Sequence, residues 1–136
     1  MIVALSTYPS RETAEAGARS IVENELAACV SIIKIEQSVY RWKGNIEIHP
    51  EYLLIIKTTP KAFMKLEMHI KETHPHKVPE IIYFEVKGGN KEYIHWVQAN
   101  TLSKLLRVPL DLTALKRASD PSNELKSAKN PSVLSK

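Results

Sequence analysis

The sequence predicts an α+β domain with the ferredoxin-like order β-α-β-β-α-β, followed by a third helix. Three observations favour this class. Short apolar segments suited to strands alternate with segments of helical period, and the two longest strand segments adjoin across a glycine turn. Two of the helical segments are amphipathic and can cover one face of an antiparallel sheet. A length of 136 residues suits one domain with one core.

The first strand and the first helix are separated by a change of period. Residues 2–7 are an apolar run that ends at Tyr8-Pro9-Ser10, and the Ser10 hydroxyl can cap a helix. Apolar residues then recur every three or four positions, with acidic residues in the first turns. This pattern predicts an amphipathic helix that extends to about residue 25.

A long β-hairpin follows. From Ala27 to Trp42 the chain is rich in β-branched and aromatic residues, and period-two alternation resumes after a turn at Lys43-Gly44-Asn45. Each arm is about fourteen residues long. Pro50 has no N–H donor, so we expect the second arm to bend or break near His49-Pro50.

The second half of the domain is punctuated by prolines and glycines. Thr59-Pro60 begins a second helix, which must end before Pro75. A strand is predicted over 79–87, and Asn90 caps a third helix. We therefore assign residues 1–102 to the domain. Residues 103–136 form an extension that we expect to be partly helical from about Asp111 and mobile over residues 119–136.

Charge and composition exclude several classes of function. The net charge is +4, but residues 1–102 contain twelve Lys or Arg and twelve Glu, so the excess lies in the extension. A neutral body gives little of the phosphate attraction that nucleic-acid binding needs, and residues 81–86 lack the aromatic RNA-binding pattern. No apolar run approaches the roughly 20 residues of a membrane helix. Because Cys29 is the single cysteine, no internal disulfide is possible, and we expect cytoplasmic residence.

The hairpin predicts self-association. At about 3.3 Å per residue its arms extend well beyond a body of about 13 Å radius of gyration, so one domain cannot cover them. Exposed apolar edges of this kind are avoided in natural sheets, and another subunit is the expected cover. The predicted interface residues are Tyr40, Trp42, Ile46 and Ile48.

A possible metal site lies between two prolines. His74, His76 and Glu80 are grouped around Pro75 and Pro79, and imidazole and carboxylate groups suit divalent cations such as Cu(II). The alternative interpretation is structural: the prolines shape a turn, His74 caps the preceding helix and Glu80 pairs with a cation across an interface. No organic cofactor is expected, because the sequence contains no phosphate-binding glycine loop.

The remaining reactive residues do not predict an enzyme. Cys29 lies in an apolar strand start with no His or Lys within four residues, so we expect a buried, inert thiol. Glu51 and Lys57 are candidates for an ion pair in a cleft between subunits, or for a solvated pair of little energetic consequence. The other histidines are assigned to the surface: His49, His69 and His95.

Four separated motifs carry a family resemblance. They are Leu26-Ala27-Ala28-Cys29-Val30, Tyr40-Arg41-Trp42-Lys43-Gly44, Lys57-Thr58-Thr59, and the segment from His74 to Ile82. In this order the chain resembles the CutA family of divalent-cation tolerance proteins over about residues 1–102. The resemblance implies a homotrimer with interlocking hairpins. This sequence departs from the family pattern at Ser6, where some members have cysteine, and at His76, where an aromatic residue is usual.

We therefore expect a homotrimeric, non-enzymatic protein that takes part in divalent-cation tolerance and binds copper or a similar ion weakly. Two alternatives remain. One is a small-molecule-sensing regulatory trimer like the P-II signalling proteins, and the other is a structural trimer whose hairpin serves as a scaffold.

Overall fold

The structure is a computed structural model, and it describes residues 1–103, which form one compact unit. The predicted extension from residue 104 onward lies outside the described residues. The elements are β1 (Ile2–Tyr8), α1 (Arg11–Glu23), β2 (Cys29–Trp42), β3 (Asn45–Thr58), α2 (Pro60–Thr73), β4 (Ile82–Glu85) and α3 (Lys91–Ala99). This order confirms the predicted α+β class, with a helix after the last strand.

The four strands form one antiparallel sheet in the order β2-β3-β1-β4. Alternate residues of β1 are buried, because strand side chains alternate between the two faces. The buried face packs against α1 and α2, and the shared core includes Ala4, Leu54, Ile21 and Leu66. We call the opposite side the open face. None of its residues is buried, and they are Val3, Leu5, Thr7, Cys29, Ser31, Ile33, Leu53, Ile55, Lys57, Ile82 and Phe84.

The hairpin arms have the predicted length, fourteen residues each. Strand β1 pairs with β3 only as far as Tyr8↔Tyr52, so beyond this point β2 and β3 pair with each other alone. We call residues 35–51 the distal ribbon. Its turn residues Lys43 and Gly44 both have positive φ, 50° and 83°. Such backbone conformations match the right-handed twist of hairpin strands.

Pro50 does not break β3, which is continuous over Asn45–Thr58. The irregularity lies in the facing strand: Ile35 pairs with Glu51 and Ser38 with His49, so Glu36 and Gln37 together oppose Pro50. A bulge of this kind removes the need for a ladder hydrogen bond that proline cannot donate.

Two predicted boundaries are corrected. Strand β4 covers Ile82–Glu85 instead of residues 79–87, and its partners on β1 are limited to Ile2–Leu5. Helix α1 ends at Glu23, because Glu25 takes a positive φ of 54° that no helix continues. Within residues 1–103, no helix combines the length and hydrophobicity needed to cross a membrane.

Candidate functional site

The turn after α2 holds the predicted metal ligands. His74 is the C-cap of α2, with extended backbone angles that the following Pro75 favours, and its N–H donates to Ile70 O at 2.8 Å. The turn is thereby joined to the end of the helix. This geometry agrees with the alternative interpretation, in which His74 ends the helix.

The His74 ring is buried and both of its nitrogens are occupied. Nε2 donates to Thr7 O at 2.7 Å, and Nδ1 accepts the backbone N–H of His76 at 2.9 Å. Burial lowers the pKa of His74, which keeps the imidazole neutral and suits one donor and one acceptor nitrogen. No ring lone pair is left for a metal ion, so His74 fastens the turn to β1.

His76 and Glu80 are exposed, and the rings of His74 and His76 are 5.4 Å apart between centroids. Among the described residues no group of three His, Cys, Asp or Glu side chains is placed to hold a metal ion. The set of His74, His76 and Glu80 is therefore not assembled as three ligands within one chain. His76 remains as an exposed imidazole whose ring has no hydrogen bond to another described residue.

A buried polar layer lies behind His74. The Tyr8 ring packs against the His74 ring, with 4.3 Å between centroids, and burial raises the pKa of Tyr8 to about 12. The hydroxyls of Tyr8 and Ser6 are both buried, and the Ser6 hydroxyl partly opposes the rise of the Tyr8 pKa. Neither hydroxyl has a hydrogen-bond partner elsewhere among the described residues. Ser6 therefore lies on the face of the sheet that packs against the helices. This is the position at which the family resemblance leads us to expect cysteine in some members.

Lys57, Ser31 and Cys29 form a second polar cluster, which lies on the open face. Lys57 pairs with Cys29 across the hairpin, and its ammonium donates to Ser31 Oγ at 2.5 Å and lies 3.8 Å from Cys29 Sγ. The expectation of a buried Cys29 is wrong, because the thiol is partly exposed. No His or Lys lies within four residues of it in sequence, but Lys57 reaches it from 28 positions away. Residues adjacent to Cys29 in sequence carry no sign of this contact, because the hairpin pairing brings Lys57 to it.

Glu51 and Lys57 do not contact each other within the chain. Both lie on the same side of β3, six residues apart, which is about 20 Å along a strand. An ion pair between them would require two subunits.

The four predicted interface residues lie on both faces of the distal ribbon. Tyr40 and Trp42 share one face with Glu47, whereas Ile46 and Ile48 share the other with Val39. All four apolar side chains are at least 40% exposed, and Ile46 reaches 59%. Both faces of a two-stranded ribbon are thus apolar and uncovered by the described chain.

One histidine assigned to the surface has a structural contact. His69 on α2 is partly buried, and its Nε2 is 2.8 Å from Ser20 Oγ on α1. Burial lowers the pKa of His69, and the nearby Glu72 opposes this. His49 is exposed and 3.3 Å from Glu47.

Comparison with known proteins finds a family match over most of the domain. Residues 2–100 match the family described as CutA1 divalent ion tolerance protein. The divalent-cation tolerance protein CutA of Thermus thermophilus is 46% identical over 99 residues, which cover 73% of this chain and 96% of that protein. Protein CutA of Mus musculus is 41% identical over 100 residues, which cover 74% of this chain but 56% of that longer protein.

Solved structures give the same result. A Cut A1 divalent cation tolerance protein from Thermus thermophilus superimposes with a TM-score of 0.72 at 45% identity, covering 74% of this chain and 99% of that one. A structure described as PII-like protein CutA from Nostoc, in apo form, superimposes with a TM-score of 0.70 at 34% identity. That match covers 74% of this chain and 97% of the other.

Proposed function

Because this chain belongs to the CutA1 family of divalent ion tolerance proteins, we propose that it acts as a homotrimer in the response to divalent metal ions and binds Cu(II) weakly. The metal contact is made by His76, together with Glu80. The observation that supports this assignment is the exposed His76 ring, which is free of hydrogen bonds to described residues while its backbone is fixed by His74 Nδ1. We propose no catalytic activity for the protein, and we expect it to reside in the cytoplasm.

The ligand types explain the expected metal preference. Imidazole binds Cu(II) more tightly than Zn(II) or Ni(II), and carboxylate is compatible with all three. Two ligands from one chain leave the remaining coordination positions to water or to a neighbouring subunit, so the affinity is low. Since only neutral imidazole binds a metal ion, copper affinity falls as the pH is lowered.

Copper titration of three proteins tests the metal contact. Calorimetry with CuCl2 should give weak binding to the wild type, and His76→Ala should reduce the affinity at least tenfold. His95→Ala is the matched control, because it removes another exposed imidazole, on α3, and should leave copper binding unchanged. Equal affinities for the wild type and His76→Ala would refute the assignment.

The trimer follows from the distal ribbon and from the family. An isolated two-stranded ribbon is marginally stable in water, and this one exposes apolar residues on both faces. Interlocked ribbons from three copies would cover them. Light scattering after size exclusion should give three times the subunit mass at micromolar concentration. A folded monomer under these conditions would contradict the proposal.

A P-II-like sensor is the second candidate. It is favoured by the description of the similar Nostoc structure as PII-like, and by the partly buried ammonium of Lys57 on the open face. This candidate requires a small-molecule ligand. Native mass spectrometry of the purified protein would detect such a ligand, or bound metal, as added mass.

A further inference from the structure

Ser20 and His69 bring a hydroxyl and an imidazole together between the two helices that cover the sheet. Ser20 lies near the end of α1, His69 lies in the second half of α2, and His69 Nε2 is 2.8 Å from Ser20 Oγ. Both residues are half-buried. A serine hydroxyl within hydrogen-bond reach of a base is the basic arrangement of an activated nucleophile.

The surroundings of the pair favour the hydroxyl as the hydrogen-bond donor. Within residues 1–103, Ser20 Oγ has no hydrogen-bond partner other than His69 Nε2, and no donor reaches His69 Nδ1. Glu72 follows His69 by three positions on α2, where such residues are neighbours on the helix surface. With the ring proton on Nδ1, the hydroxyl donates to Nε2, and the Nδ1–H can point to solvent or to the Glu72 carboxylate.

The His69 ring has the charge state that a base requires. Burial lowers the pKa of His69, and the nearby Glu72 opposes this shift, so the imidazole is neutral near pH 7.5. A neutral imidazole can take up the serine proton as the oxygen attacks an electrophile. The Glu72 carboxylate then stabilises the positive charge that forms on the ring.

The position of Ser20 limits what this pair can do. Ser20 lies inside α1, so the backbone N–H groups around it are engaged in helical hydrogen bonds. They are not available to stabilise an oxyanion, which is the donor set that acyl-transfer enzymes rely on. The arrangement therefore suits a single transfer of a group to the serine oxygen, without turnover.

We propose that Ser20 is a modification site, at which His69 is the base for transfer of an acyl group from an activated ester or thioester. Ser20 Oγ attacks the carbonyl carbon, and its proton passes to His69 Nε2. The bond between the carbonyl carbon and the leaving oxygen or sulfur breaks, and that atom departs with the electron pair. His69 then releases the proton to solvent, so an O-acyl serine is the product.

This inference goes beyond the metal proposal and does not depend on it, because neither Ser20 nor His69 is a proposed metal contact. The competing interpretation is that the hydrogen bond only joins α1 to α2. The two interpretations differ for glutamine at position 69. Its amide can keep a polar contact with Ser20, but it cannot take up a proton near neutral pH.

Acetylation with p-nitrophenyl acetate tests the proposal on the full chain. Peptide mass spectrometry measures the rate of O-acetylation at each serine at pH 7.5. We expect Ser20 to react at least tenfold faster than Ser10, whose hydroxyl contacts Thr13 instead of a base. General-base assistance typically contributes about 100- to 10,000-fold. Reaction at Ser20 no faster than at Ser10 would overturn the proposal, and so would acetyl groups on His69 with none on Ser20.

Variants assign the reaction to the pair. His69→Gln should lower the rate at Ser20 at least tenfold, and thermal unfolding checks that this variant remains folded. His95→Gln is the matched control, because it removes an exposed imidazole on α3 and should react like the wild type. Equal rates at Ser20 in His69→Gln and the wild type would overturn the proposal. An equal loss in both glutamine variants would also overturn it, because the rate would then not depend on this contact.

Discussion

The phenol of Tyr8 lies against the backbone of Gly17: a Cβ atom at Gly17 would be 2.9 Å from Tyr8 Oη and 3.0 Å from its Cζ. Glycine is normally unfavourable within a helix by about 1 kcal/mol relative to alanine. Here the missing side chain lets α1 approach β1 closely enough to bury the Tyr8 ring beside His74. The end of β1, α1 and the 74–80 turn therefore depend on one another.

The first prediction is that Gly17→Ala destabilises the protein, although alanine is the better helix former. The buried ring cannot move aside freely, and overpacking of this kind costs about 1–3 kcal/mol. Thermal unfolding should show a loss of a few degrees. Tyr8→Phe should restore part of the loss in the double variant, because it removes the atom nearest to the new methyl group. A more stable Gly17→Ala variant would contradict the close contact.

The second prediction concerns alkaline pH. Burial raises the pKa of Tyr8 to about 12 in the folded protein, against about 10 in an unfolded chain. The neutral phenol thus contributes stability that is complete below pH 10 and is lost as the pH rises toward 12. Urea unfolding should show that the free energy of unfolding decreases more between pH 9 and pH 11.5 for the wild type than for Tyr8→Phe. An equal decrease in the two proteins would show that ionisation of Tyr8 does not contribute to the loss of stability at alkaline pH.

The third prediction concerns acidic pH and the contact between α1 and α2. Burial lowers the pKa of His69, so an unfolded chain takes up this proton first. The neutral ring contributes stability that is complete above about pH 6.5 and is lost as the pH falls through the lowered folded value. His69→Gln keeps a polar partner for Ser20 without this titration and should reduce the loss of stability between pH 7.5 and pH 5. His95→Gln, at an exposed position, should behave like the wild type.

The periodicity of the sequence predicted the order of the elements because local features specify it. Ser10 and Asn90 cap helices as expected, with side-chain oxygens that accept from Thr13 N and Glu92 N. Lys43-Gly44 forms the hairpin turn, and Pro75 follows the end of α2. Each of these signals acts over a few residues.

The open-face cluster could not be predicted, because it depends on strand register. Counting outward from the hairpin turn, where Trp42 pairs with Asn45, would place Val30 opposite Lys57. The bulge opposite Pro50 shifts the register by one residue, so Cys29 takes that place. A shift of one residue exchanges the two faces of a strand. The hydrogen bond by which His74 fastens the turn to β1 could not be predicted either, since its acceptor Thr7 is 67 positions away in sequence.

The last prediction tests whether both faces of the distal ribbon are covered in the assembled protein. Tyr40→Lys places a charge on one face and Ile48→Lys places a charge on the other. Burying an unpaired ammonium at an interface costs several kcal/mol, which corresponds to a loss of at least a hundredfold in association for each variant. Met64→Lys is the matched control, because Met64 is 75% exposed on α2, outside the ribbon. Light scattering across a dilution series measures the subunit association of all three variants. If one ribbon variant dissociates and the other does not, only one face is an interface; if neither does, the ribbon is not what holds the subunits together.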